Sequence, residues 1–478
     1  MIESGWGQIP VVENDCVVGV VTRTDLITLW GTPPQPSQHR EPSTLLEQAL
    51  SVPVLGLVRR ISQKSHQMGF VPYFVGGLVR DLLLGNPIVD VDMVIEGDAI
   101  ALARRLAADL GGRVIPHRRF GTAKWILSQR VWQEIAGRVP HQEAALPPSV
   151  DFVTARTEFY THPTALPQVE RSSIKQDLHR RDFTINTLAI RLDPDHWGEL
   201  LDFYGGEADL QNGIIRVLHS LSFVDDPTRM LRAARLESRM GFHLDPRTQE
   251  LVADALPLLK RVSGDRIRHE LEQIFSEAEP EKTLCRLDEL NVLTHIHPGL
   301  RCDKWLQARY SAIRKDLKLK AWNLKNEELY FLCLALLAYR LDDEQLERLI
   351  TRLRVKRSDA EDLRLLPSLK DTLPQLGRAR WASAVYRLLL PYPTRVLAVG
   401  WVVTSKRRQE RLLRYQTEYR LVETHLTGDD LKAMGLKPGP LFGQLLEALR
   451  DARLDGKVSK WEEEEALLQK LLSRLGPD

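Results

Sequence analysis

The sequence predicts an α+β protein, with a small mixed sheet and its helices in the first half and a long all-α region behind it. Three observations support this. Val- and Ile-rich runs alternate with helical periodicity from Leu45 to about Ala189. Beyond Asp225 almost every segment repeats at helical spacing. The 478 residues, 43% hydrophobic and 27% charged, supply cores for about three domains. No apolar stretch approaches the roughly 18 residues of a spanning helix; the best candidate runs only from Tyr330 to Tyr339. The N-terminus, Met1-Ile2-Glu3, lacks the charged-then-apolar pattern of a secretory leader. A membrane protein and a secreted protein are therefore not expected.

The first element is a hairpin. Gly7–Val12 and Cys16–Val21 are apolar runs separated by the turn-forming Glu13-Asn14-Asp15, and a helix start follows. This segment resembles the final half of a CBS domain, with Thr22 and Asp25 where such domains often touch an adenosine ribose. CBS units work as pairs and only a fragment is present, so no ligand is assigned to it. Residues 31–44 read as a linker, rich in Pro, Ser, Gln and Thr.

The decisive stretch comes next. The apolar strand Tyr73-Phe74-Val75 ends at Gly76-Gly77, and a helix carrying Arg80 and Asp81 opens immediately. A glycine pair lets backbone approach a phosphate, and the helix start offers free N–H groups. Asp90 and Asp92 begin another strand and project from one face of it. Two carboxylates on one face beside such a turn suit Mg²⁺-assisted nucleotidyl transfer. An Asp-x-Asp alone is more often a loop that caps a helix; the glycine turn upstream reverses that balance. Asp151, on the strand Val150–Arg156, is a candidate third carboxylate.

Two basic clusters follow. In Asp177-Leu178-His179-Arg180-Arg181-Asp182-Phe183-Thr184-Ile185-Asn186, adjacent arginines offer fork-shaped donors for phosphate or ribose. Asp182 is placed to orient them, with Asn186 one helical turn on; a basic helix start held by local ion pairs is the plain alternative. In Asp225-Asp226-Pro227-Thr228-Arg229, Asp226 suits a helix cap and Pro227 the first turn. Asp226 and Arg229 then share a helix face, a carboxylate acceptor beside a guanidinium donor, able to read a base edge.

Net charge is +2, but residues 301–420 hold 26 Lys and Arg against 14 Asp and Glu, an excess of 12 positive charges that leaves −10 elsewhere. Such asymmetry suggests a polyanionic partner. Lys406, Arg407, Arg408, Arg411 and Arg414 form a helical basic cluster, and Lys432 and Lys437 flank the Gly-rich turns near Gly435 and Gly439. Backbone N–H groups and cations of this kind bind RNA phosphates without sequence preference. Trp305, Trp322, Trp381 and Trp401 read as core residues. Cys16, Cys285, Cys302 and Cys333 lie far apart with no CxxC pair, so neither a zinc site nor a disulfide is expected, and a reducing cytoplasm is the plain compartment.

The order of Gly-Gly-x-x-Arg-Asp, Asp-x-Asp, Arg-Arg-Asp-Phe-Thr-x-Asn and Asp-Asp-x-x-Arg resembles the bacterial class II tRNA nucleotidyltransferases and poly(A) polymerases. The match spans about residues 56–275. His117–Thr122 and Arg261–Glu270 are similar to further segments of that family, the latter to its neck helix. The resemblance implies a polymerase-beta-like head over 56–190 and a neck with the nucleotide-selecting helix over 191–275. A basic helical body over 276–420 and a tRNA-binding tail over 421–478 would follow, with 1–30 the CBS-like fragment and 31–55 the linker and lead-in helix. It implies Mg²⁺ on Asp90 and Asp92, and nucleotide binding by Gly76, Gly77, Arg80, Arg180, Arg181, Asp182, Asn186, Arg232 and Arg235. Asp226 and Arg229 would select CTP or ATP. Asp225 stands where the family commonly has Glu, which bears on nucleotide choice but not on catalysis. The implied partners are tRNA, ATP or CTP, and, for an enzyme adding only A, a companion that adds CC. Complete CCA addition, CC addition and A addition are all compatible; the CBS-like fragment, similar to one in long relatives, inclines the choice to A. A poly(A) polymerase and a non-catalytic tRNA-binding protein are the alternatives.

Overall fold

A computed structural model describes residues 8–13, 16–22, 42–88, 91–136, 146–159, 168–315 and 321–475. The chain divides into two compact units, residues 1–255 and 256–478.

In the first unit, β1 (Gln8–Glu13) and β2 (Cys16–Thr22) form an antiparallel two-stranded hairpin. Thr22 ends β2; Asp25 lies outside the described residues. The main sheet has seven strands: β3 (Val71–Val75), β4 (Asp92–Glu96), β5 (Arg113–His117), β6 (Thr122–Ile126), β7 (Ser149–Thr154), β10 (Ala189–Arg191) and β11 (Leu200–Leu201). Their order is β11-β10-β3-β4-β7-β6-β5, and only β4 and β7 run parallel. The hairpin β8 (Arg156–Phe159) with β9 (Gln168–Arg171) stands apart from this sheet, as does the short parallel pair β12 (Ile214–Ile215) with β13 (His243–Leu244).

Alternation explains which face is covered. On β7 Val150, Phe152 and Thr154 are buried while Ser149, Asp151 and Val153 are only partly so; on β6 Ala123 and Trp125 are buried and Lys124 between them is exposed. The buried face lies under the helices Val52–Gln67 and Ala99–Leu110, whose Leu57, Val58, Ile61, Leu102, Ala103 and Leu106 are fully buried. The opposite face keeps the polar side chains.

The second unit is helical. Its apolar ten-residue run is no membrane element: Phe331–Ala338 of the helix Asn326–Ala338 is buried throughout as a core helix. The helix Thr394–Val403 is buried in the same way along Val396–Val402. The tail packs on its own cluster of Leu426, Leu431, Leu445, Leu449 and Leu468. No helix among the described residues is long and apolar enough to cross a membrane.

Two sequence-based expectations fail here. Cys285 and Cys302 are joined in a disulfide with Cα atoms 4.8 Å apart. They are 17 residues apart in sequence, but one lies in the helix Pro280–Glu289 and the other just before the helix Lys304–Lys315, and the chain between, with its short helix Val292–Ile296, brings them together. Cys333 is a free thiol, buried, its pKa pushed up to about 12 by that burial and by Glu281. Of the four tryptophans expected in the core, Trp322 and Trp401 are core residues. Trp381 is 58% exposed beside Lys457, and Trp305 is half-buried between Arg309 and Arg340. Helix position alone does not distinguish a core ring from one shielded by cations.

Candidate active site

The uncovered face of the main sheet carries a polar row. Asp92, the exposed first residue of β4, is the parallel register partner of Asp151 on β7. Asp151 in turn pairs in register with Lys124 on β6, whose ammonium lies 2.9 Å from its carboxylate. Strand alternation therefore sets two carboxylates and one lysine side by side on three adjacent strands. Asp90 lies outside the described residues, and among those described no cluster of three His, Cys, Asp or Glu forms a ready metal cage. The donors on this face are nonetheless the carboxylate oxygens that a hard divalent cation takes. Lys124 belongs to the row too, and its signal in the sequence was the polar residue between buried Ala123 and Trp125.

The glycine turn has a second purpose. Gly76 has φ of +72°, and its N–H donates to the Leu188 carbonyl at 2.9 Å. A Cβ there would lie 2.7 Å from Arg181 Nη1, so the missing side chain is what admits that guanidinium. Gly77 opens the helix Gly77–Leu83. Arg80 on that helix is buried, doubly bound to Asp81 and donating to Asn186 Oδ1 at 2.8 Å. Its guanidinium orients Asn186 from within the wall of the site.

The arginine pair does not start a helix, as the plain alternative reading had it; it ends one. The helix Ile174–His179 stops at Arg180. Asp177, fully buried on that helix, accepts Arg180 Nη2 at 2.7 Å, Arg181 Nη2 at 3.1 Å and the Arg156 N–H at 3.2 Å. Burial alone would raise its pKa, but Arg181 and Arg180 outweigh that and hold the carboxyl below its usual range. No role was assigned to Asp177 from sequence, although its position three and four residues before the arginines was the available signal. Asp182 accepts the Asn186 amide at 2.9 Å and the Phe183 N–H at 3.0 Å. Asn186 reaches it from a 3-10 turn, Thr184–Asn186, rather than from an α-helix.

The third cluster is arranged differently from its sequence pattern. Asp226 is extended, and the helix begins at Arg229, not at Pro227. Asp226 Oδ1 accepts the Thr228 N–H at 3.0 Å and its hydroxyl at 2.6 Å, which caps the approach to the helix. Asp226 and Arg229 therefore do not stand on one helical face. Arg229 is buried and donates to Ser222 Oγ at 2.7 Å and to the Arg180 carbonyl at 2.8 Å. The partner of Asp226 is Arg232 at 2.8 Å, and the same guanidinium reaches Asp182 at 3.1 Å. Arg235, half-buried, follows Arg232 on the same helix. The outcome is a continuous wall in which Arg232 bridges the arginine turn and the Asp225-Asp226 segment.

In the second unit Arg411 donates to the Leu376 carbonyl, and the Arg408 guanidinium packs beside Gly377. Both lie on the helix Lys406–Thr417 and pack against the helix Leu366–Arg378 as much as they serve as surface cations. Lys406, Arg407 and Lys437 are exposed, and Lys432 pairs with Asp429 at 2.8 Å.

Residues 72–216 match the Poly A polymerase head domain, and residues 241–303 match a probable RNA and SrmB-binding site of polymerase A. An A-adding tRNA nucleotidyltransferase of Halalkalibacterium halodurans is 32% identical over 87% of this chain and 92% of its own length. One from Geobacter sulfurreducens is 34% identical over 95% of this chain but 53% of its own, so the chain spans about half of that relative. In structure, the Thermotoga maritima CCA-adding enzyme complexed with tRNA superposes with a TM-score of 0.71 at 30% identity, over 91% of this chain and 99% of that one.

Proposed function

The chain belongs to the tRNA nucleotidyltransferase family, and on that premise we propose that it adds nucleotides to the 3′ end of tRNA without a nucleic acid template. The observation that carries this is the double contact of Arg232 with Asp182 and Asp226. It joins donors suited to phosphate and ribose, Arg180 and Arg181, to acceptors suited to a base edge in a single wall. A nucleotide along that wall would have its triphosphate toward the carboxylate row and its base toward Asp226.

In the reaction the tRNA 3′-hydroxyl attacks the α-phosphate, and pyrophosphate leaves from the other side. Asp90, Asp92 and Asp151 would hold Mg²⁺, which supplies charge stabilisation for the attacking oxygen and the triphosphate. Arg181, seated against Gly76 and held by buried Asp177, is fixed before substrate arrives, so no energy is lost in orienting it. Arg80 and Asp182 hold Asn186 from both sides. Lys406, Arg407 and Lys437 are proposed to bind RNA backbone. A cytoplasmic location follows from the tRNA substrate.

A-addition is the specific reading, supported by the A-adding relatives at 32% and 34% identity; a companion enzyme would then supply CC. The test uses tRNA transcripts ending before CCA, after C and after CC, with CTP or ATP supplied singly and together. ATP use only on the transcript ending in CC supports A-addition, and extension of all three to CCA means complete addition. Unlimited adenylate tails point to a poly(A) polymerase. tRNA binding without incorporation, or activity retained in Asp92→Ala, sinks the catalytic assignment.

A further inference from the structure

Two histidines with no part in the site described above meet beside it. His179 closes the helix Ile174–His179 immediately before Arg180. His219 lies in the turn that leads to Asp225. Their rings stack with centroids 5.7 Å apart and planes 12° from parallel. Tyr204 abuts the His179 ring at 5.9 Å, and its hydroxyl donates to the Lys175 carbonyl. His219 Nε2 lies 3.8 Å from Asp225 Oδ2.

The stack therefore joins the same two segments that Arg229 joins through the Arg180 carbonyl. The two connections differ in what they touch. Arg229 holds main chain, whereas His219 faces the side chain of Asp225, neighbour of the proposed base-reading Asp226. The groups around His219 are His179 from one segment, Asp225 and Arg229 from the other, with Tyr204 beyond His179. Burial holds the His219 imidazole below its ordinary range; Asp225 opposes this, and Arg229 and His179 add to it. The His219 ring stacks on His179, and its Nε2, at 3.8 Å, packs beside the Asp225 carboxylate without a hydrogen bond to it.

We propose that His219, stacked on His179, is a positioning residue that orients Asp225 and through it Asp226, and so takes part in the choice between ATP and CTP. This rests on the nucleotidyl-transfer function proposed above. Protonation of His219 would place an imidazolium 3.8 Å from the Asp225 carboxylate and draw Asp225 toward it, so discrimination should weaken in acid.

The experiment measures kcat/KM for ATP on tRNA ending in CC, and for CTP misincorporated on the same tRNA, between pH 5.5 and 8. Wild type, His219→Phe and His219→Asn are compared, with melting temperature and tRNA affinity measured alongside. His219→Phe keeps an aromatic face and cannot bind Asp225; it should narrow the ATP-to-CTP ratio at least fivefold and abolish its pH dependence. His219→Asn keeps a donor and should retain more of the ratio than Phe. Ratios within twofold of wild type in His219→Phe overturn the proposal. So does an equal fall for both nucleotides with a lowered melting temperature, since that is a structural role only. If the wild-type chain incorporates neither nucleotide on any tRNA, the underlying function fails first, and this role with it.

Discussion

Arg229 donates to the main-chain carbonyl of Arg180 at 2.8 Å, across 49 residues of sequence. A buried guanidinium thus fastens the helix Arg229–Met240 to the turn that carries the half-buried Arg180 and Arg181. Arg229→Lys keeps the charge but loses the fork that reaches Ser222 and Arg180 together. Removing one charge-assisted bond costs about 1.5–3 kcal/mol, so kcat/KM should fall roughly 10- to 100-fold if the contact is maintained in the transition state. Steady-state incorporation checks this, and a loss below twofold would show that the fastening is not needed for catalysis.

Asp177 should govern both stability and nucleotide affinity. Its carboxyl is held below its usual range, so its contribution is present above the unfolded value near 3.9 and lost as pH falls through the folded value. Wild type should therefore show a loss of stability confined to pH below about 4 that Asp177→Asn lacks. At pH 7 the variant leaves Arg180 and Arg181 without their buried counter-charge, a loss of about 3 kcal/mol by analogy with broken buried pairs. Thermal unfolding from pH 3 to 8 reads both effects, and KM for the nucleotide should rise in parallel.

Gly76 and Gly85 provide a matched pair. Both have positive φ, +72° and +73°, but a Cβ on Gly85 meets nothing within 4 Å while one on Gly76 strikes the Arg181 guanidinium. Gly85→Ala should lower stability by the backbone term alone, about 1 kcal/mol, with activity intact. Gly76→Ala, at a ψ of −126° outside the left-handed helical well, carries a larger backbone term and also displaces Arg181, so its nucleotide KM should rise at least tenfold. Equal activities for the two variants would remove Arg181 from the nucleotide site.

Much of this was legible in the sequence because period-two alternation is a local signal. It set Asp90 and Asp92 on one strand face, while the continuous apolar run Tyr73–Val75 ending at Gly76-Gly77 and the strand bearing Asp151 are read from composition. The pairing of Asp226 was not legible. It depends on an extended residue at φ −140° that delays the helix to Arg229 and rotates Arg232, not Arg229, toward the carboxylate. Helical spacing counts from a start the sequence misplaced by two residues. Asp177 was overlooked for another reason: its importance comes from complete burial, which a six-residue helix does not advertise.

The covalent link between Cys285 and Cys302 leads to a last expectation. It joins the helix Pro280–Glu289 to the chain before Lys304–Lys315, and the Cys302 N–H donates to Asp288 at 2.9 Å beside it. A loop of this length, 17 residues, restrains the unfolded chain by about 3 kcal/mol. Cys285→Ser should lower the melting temperature of the helical unit, and a thiol reductant should do the same to wild type but nothing further to the variant. The head site has no covalent part in this link, so incorporation measured well below the melting temperature should be unchanged. If reductant leaves wild type unaltered, the two sulfurs are thiols in solution, and the turn is held instead by Asp288 and by the contact of Gln307 Nε2 with Cys285 Sγ at 3.0 Å. A double substitution, Asp288→Ala with Gln307→Ala, separates the cases: it should destabilise the chain strongly in reductant and only weakly when the disulfide is closed.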